Sequence, residues 1–253
     1  MPAGAQFKAQ LKAQFKAQSE ARFERSRTTG IMRSGQLRRW TMASGVRRIG
    51  LHLGWVGGLL FAGAVWFAAR ELPGYEHARH PVGLLGVAAA PSALVFNLVA
   101  YGTAGLAVAG FALALEAELM RRGLGRITRL ATGMLLIAGL AFAAQGLLPL
   151  DPQDLDGSLS RRHAVAHAIA LLAWLPSTAL FALALWRAPA LRGMAWLAAA
   201  FALALGGLLV WPATLWLPGW AASPGWAQRL LLLAWFLWPA LLAVRLLRGD
   251  AVR

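Results

Sequence analysis

Two histidines four residues apart, His163 and His167, follow an aspartate, Asp151, across a short acidic loop. At i and i+4 the histidines share one face of a helix. Three chemistries fit this set. Asp151, His163 and His167 could hold a metal, zinc being the fitting ion, with water in the open position. Asp151 could instead orient a histidine acting as general base on a lipid head group. Or the group is structural, with Asp151 paired to Arg229 or capping the next segment. Ala164, Val165 and Ala166 lie between the histidines, so the glutamate of zinc-protease helices is missing.

Other polar residues belong at the same level if the chain crosses a membrane. Asn97 would lie about a turn and a half inside the second span, and Arg229 would open the sixth. Tyr75, His77 and His80 fall in the first connection. Polar groups at membrane depth are costly and face the bundle interior. Asn97, Arg229 and Tyr75 are therefore candidate ligand-binding residues beside the candidate catalytic set of Asp151, His163 and His167. His52, near the opposite end of the first span, is left out.

The spans themselves follow from composition. The 253 residues are 58% hydrophobic and 14% charged, and the apolar residues run in long blocks. A soluble domain has about a quarter charged residues. The blocks predict six transmembrane helices at Ile49–Ala69, Ser92–Leu115, Leu130–Leu150, His163–Trp186, Met194–Pro212 and Trp226–Leu247. Each is near the ~20 residues that cross the hydrocarbon core, and lipid requires the helical form. The fold class is thus all-α, a polytopic membrane bundle. With no cysteine, disulfides, thiolate nucleophiles and cysteine metal sites are excluded.

Charge sets the orientation. The net charge of +15 suggests a nucleic-acid binder until its distribution is read. Twenty of 25 Lys+Arg fall on the side of the termini and the even connections, against five opposite, while each side holds five acids. The positive-inside rule makes the richer side cytoplasmic, with both termini there. The basic residues follow topology, so no nucleic-acid partner is expected. The expected location is a cell membrane, the inner membrane of a bacterium, with membrane lipids as partners. Trp211, Trp216, Trp220 and Trp226 around the fifth connection suit the outer headgroup layer.

Residues 1–48 form a basic tail, disordered or amphipathic, ahead of a six-helix domain at 49–248. Gln-Phe-Lys-Ala and its variants repeat every four residues in the tail, and Met42 would make an ordinary start before the first span. Gly50, Gly54 and Gly58 allow close helix approach, within the chain or between copies in a homo-oligomer. Pro176 interrupts the fourth span, where Ser177 and Thr178 can bond nearby carbonyls.

Several pieces together resemble the domain of unknown function 998 family of bacterial and archaeal membrane proteins. They are Leu72-Pro-Gly-Tyr-Glu-His77, Leu84-Leu-Gly86 with Pro91 and Phe96-Asn97, Gly146-Leu-Leu-Pro-Leu-Asp151 with His163 and His167, and Gly225-Trp-Ala-Gln-Arg229. Leu148 replaces the family's usual Phe, and Val82-Gly83 departs from its Ile-Ser. The resemblance implies a six-helix bundle, related distantly to eukaryotic six-helix proteins, some linked to lipid-anchor remodelling. The expected function is an outward-facing polar pocket that binds a lipid or small amphiphile. The alternatives are a membrane hydrolase or transferase using the Asp/His set, and an accessory protein without a ligand.

Overall fold

A computed structural model describes residues 44–210 and 224–250. They form six long helices: α1 (Ser44–Glu71), α2 (Ala93–Arg121), α3 (Arg126–Ala144), α4 (Ser158–Trp186), α5 (Arg192–Val210) and α6 (Pro224–Asp250). No strand occurs among the described residues. All six are long and apolar enough to cross a membrane, so the chain is an all-α, multi-pass membrane protein. The basic tail, Met42, Pro212 and three of the four tryptophans of the fifth connection lie outside the described residues.

The helices run past the expected spans where the sequence turns polar. α2 continues to Arg121, α3 starts at Arg126, and α4 starts at Ser158 ahead of Arg161 and Arg162. Helix is the cheapest way to satisfy backbone groups in lipid, and it need not stop at the headgroup layer. α3 stops short of the expected Leu150: a 3-10 turn, Gln145–Leu147, leads to Pro149, which has no N–H to continue the helix.

Sequential helices pack side by side from α1 to α5, and α6 returns to α1, touching α5 lightly. Small residues make the tightest contacts. A Cβ on Gly105 of α2 would lie 2.5 Å from Ala143 N of α3, and one on Gly139 of α3 would lie 2.7 Å from Ala109 N. These two backbones touch, as glycine permits in membrane bundles. The Gly50/Gly54/Gly58 stripe is filled from within the chain. Gly50 faces Ala114, Gly54 faces Phe111 and Ala243, and Gly58 faces Phe236.

The centre is aromatic. Phe61 stacks on Phe236 at 5.0 Å between ring centroids, Trp235 on Phe142 at 5.4 Å, and Trp174 on Trp235 at 5.4 Å. These rings join α1, α3, α4 and α6. α4 runs unbroken through Pro176, with Thr178 Oγ1 donating to Trp174 O at 3.0 Å and Ser177 Oγ to Ala131 O of α3 at 2.8 Å.

The end bearing Arg47 is pinned by one acid. Glu118 of α2 is fully buried and faces Arg47 Nε of α1 at 2.9 Å, Arg121 Nη2 at 2.8 Å and Arg122 Nε at 2.5 Å. The Arg47 contact is an ion pair without hydrogen-bond geometry.

Candidate functional site

At the opposite end, the six candidate residues fall into three separate contacts and one local turn. The first is a latch between the α1–α2 connection and the start of α6. Arg229 donates from Nη2 to Tyr75 Oη at 2.5 Å and from Nη1 to His80 O at 3.0 Å and Gly225 O at 2.8 Å. Its guanidinium also lies 5.6 Å from the Tyr75 ring centroid. Val82 N donates to Gln228 Oε1 at 2.7 Å, and Gly225 N to Ala78 O at 2.9 Å. Gly225 has to be glycine, because a Cβ there would collide with the carbonyls of His77, Ala78 and His80.

Burial pushes the Tyr75 phenol up, outweighing the Arg229 charge that favours its ionised form. Partial burial, then the same guanidinium, holds the His77 imidazole below the ordinary histidine value. His80 Nδ1 accepts from Glu76 N at 2.9 Å, so the proton of neutral His80 sits on Nε2. Thus Arg229 is tied to a phenol and two carbonyls, not to Asp151.

The second contact holds the start of α2. Asn97 Nδ2 donates to Gly86 O at 2.8 Å, and a side chain at Gly86 would collide with the Asn97 amide. Asn97 also begins a π-helical stretch, Asn97–Thr103, within α2. The wide turn meets the 3-10 turn that follows α3, where a Cβ on Gly146 would lie 2.5 Å from Asn97 O.

The third contact joins the histidines to the end of α3. His163 Nδ1 lies 2.7 Å from Leu148 O, and His167 Nδ1 lies 3.2 Å from Gln145 Oε1. A carbonyl only accepts, so neutral His163 carries its proton on Nδ1 and keeps a lone pair on Nε2. The His163 ring also meets Tyr101 edge-on at 5.8 Å. Gln145 is 1% exposed, and its Nε2 has no hydrogen-bond partner among the described residues. Gln145 is not among the candidates read from the sequence. An amide at the end of an apolar span, three residues before the carbonyl that takes His163, was the available signal.

Asp151 stands apart and is exposed. Its Oδ1 accepts from Gln153 N at 3.0 Å, while Ser160 Oγ bridges its backbone N and O at 3.1 Å each. The carboxylate closes a local turn because it lies beyond the end of α3, where its nearest donors are its own neighbours. The expected metal set of Asp151, His163 and His167 is therefore not assembled. No group of three or more His, Cys, Asp or Glu among the described residues is arranged to hold a metal.

With this geometry the motif stretches meet in pairs: Tyr75 with Arg229, Gly86 with Asn97, and Leu148 with His163. Protein of unknown function (DUF998) is the family that matches, over residues 55–245. The chain belongs to the DUF998 family. No curated protein and no solved structure matches it. Within this DUF998 chain, the residues that carried the resemblance are tie points between helices and connections.

A groove lies on another face of α4. It has a volume of about 510 Å³ and is lined by Leu148, Ser158, Arg161, Arg162, Val165, Ala166 and Ile169. From Ser158, the residues at +3, +4, +7 and +11 share one helical face. His163 and His167 belong with Ser160, Ala170 and Trp174 on the opposite, inward stripe. The groove wall is mainly apolar, in contrast to the polar pocket expected. Arg161 and Arg162 are exposed at its mouth, and neither forms an ion pair among the described residues.

Proposed function

We propose that this membrane protein binds a lipid-like amphiphile in the groove on α4, its chain along Val165 and Ile169 and its anionic head group at Arg161 and Arg162. One observation carries the reading: an apolar groove on the exposed side of α4, with two arginines at its mouth that form no ion pair among the described residues. Its volume lies within the roughly 300–1,000 Å³ of small-molecule sites. Arginine suits phosphate and carboxylate groups through its planar fork of donors. The arginines occupy the first turn of α4, at the level where head groups meet the hydrocarbon. In the orientation read from the charge distribution, with both termini cytoplasmic, this is the outer leaflet, in bacteria that of the inner membrane.

The aspartate–histidine site of a hydrolase or transferase receives less support, because Asp151 is committed to a local turn. The test is lipid retention. Protein purified in mild detergent should retain about one tightly held lipid per chain, measured by mass spectrometry of an organic extract. Val165→Trp, which fills the groove, and the pair Arg161→Gln with Arg162→Gln should each lose it. Retention unchanged in both variants would refute the reading.

A further inference from the structure

The acyl chain gains little from this groove, because surrounding lipid tails are as apolar as Val165 and Ile169. Choice among lipids therefore falls on the head group, and the charges around the mouth can be read in order. Arg161 and Arg162 stand on the opening turn of α4. Asp154 comes next. Its carboxylate folds against Gly157, where a Cβ would collide with it, one residue before the groove-lining Ser158. That carboxylate has no hydrogen-bond or ion-pair partner among the described residues. The neighbouring Asp151 is different, its Oδ1 being held by Gln153 N.

We infer that the groove selects a phospholipid whose phosphodiester is followed by a primary ammonium, the phosphatidylethanolamine class. This rests on the lipid-binding reading of the same groove. The phosphate lies between the two guanidinium groups, as their bidentate geometry favours. The ammonium, a few bonds further out, reaches the Asp154 carboxylate and donates to it. A phosphatidylglycerol head has no cation, so it places its negative charge before Asp154 with nothing between them. A choline head carries the charge but has no N–H, so it forms no hydrogen bond to the carboxylate.

The full chain in detergent, titrated with short-chain phosphatidylethanolamine, phosphatidylglycerol and phosphatidylcholine and read by native mass spectrometry, tests this. The ethanolamine lipid should bind about fivefold more tightly than the glycerol lipid, the scale of one exposed ion pair. Asp154→Asn should bring that ratio to about one, while Asp156→Asn, an exposed acid of the same loop, should leave it unchanged. Arg161→Gln with Arg162→Gln should weaken all three lipids about tenfold or more, as loss of charge-assisted bonds to phosphate requires. If Asp154→Asn leaves the preference intact, or Asp156→Asn removes it equally, the head-group inference fails while the groove reading stands. If no lipid responds to the arginine pair, both fail. The substituted side chains are exposed, and an unchanged thermal midpoint would separate lost binding from lost folding.

Discussion

Replacing Glu118 by glutamine should be among the costliest single changes in the molecule. Glutamine keeps the shape and removes the charge, leaving Arg47, Arg121 and Arg122 without their shared carboxylate. Glu118 is 0% exposed, and the side chains of Arg47, Arg122 and Arg121 are 17%, 22% and 42% exposed. Breaking a buried ion pair costs about 3–5 kcal/mol, because a charge is left in a poor solvent. Arg121 is open enough for water to replace most of its loss. Arg47 and Arg122 also reach water in part, which argues for the lower end of that range. The expected loss is about 3 kcal/mol, roughly 150-fold in the folding equilibrium at about 1.4 kcal/mol per decade. Arg47→Gln should cost about 1 kcal/mol, since Glu118 keeps two partners, and the double variant should lose less than the sum. Equilibrium unfolding in mixed micelles, followed by tryptophan fluorescence, measures each. A Glu118→Gln protein within about 0.5 kcal/mol of the parent, the ordinary range for surface changes, would refute the role given to this cluster.

Three further outcomes are expected. Gly225→Ala drives a methyl group into three carbonyls, so it should destabilise by about 1–3 kcal/mol and make trypsin cleave faster after Arg79; an unchanged cleavage rate would contradict the latch. For orientation, Leu155→Cys should react with an impermeant thiol reagent on intact cells and Gly125→Cys only after lysis, and the reverse would invert the topology. Gly125 is the better inner probe than Gly123, whose φ of 80° strains any other residue. A chain starting at Met42 should still insert, because Arg47 and Arg48 remain to hold the first span; failure of membrane insertion would give residues 1–41 a structural role.

The six spans were legible because hydropathy over ~20 residues reports directly on the lipid thickness. Depth was legible too, since chain direction places Asn97, His163 and Arg229 at the same end. Rotation was not. Whether His163 and Arg229 face each other depends on helix phase and on which helices are neighbours, and the connection after α1 intervenes to take Arg229 for itself. Asp151 was assigned to the end of a helix that stops at Ala144, with its trailing 3-10 turn ending at Leu147, so the geometry of Asp151 is that of a turn. Arg161 and Arg162 were visible but absorbed into the topological count. Only the packing of Leu148 and Ile169 beside them sets the proposed binding face apart from an anchoring charge. Glu118 passed as one acid among ten, because nothing local says that an arginine 71 positions earlier will reach it.

The return of α6 onto α1 has a consequence during synthesis. Outside α6, the extensive helix pairings join sequential helices and can form as soon as the second of each pair emerges. The face of α1 bearing Gly58 and Phe61 has to wait for Phe236, which is made about 180 residues later. Until then the nascent bundle is an open arc, with small residues and an aromatic seam turned toward lipid. That arc could be recognised by quality control or joined by another unfinished chain. The last helix thus acts as the checkpoint for the first, and a truncation that spared five spans would still leave the protein unclosed.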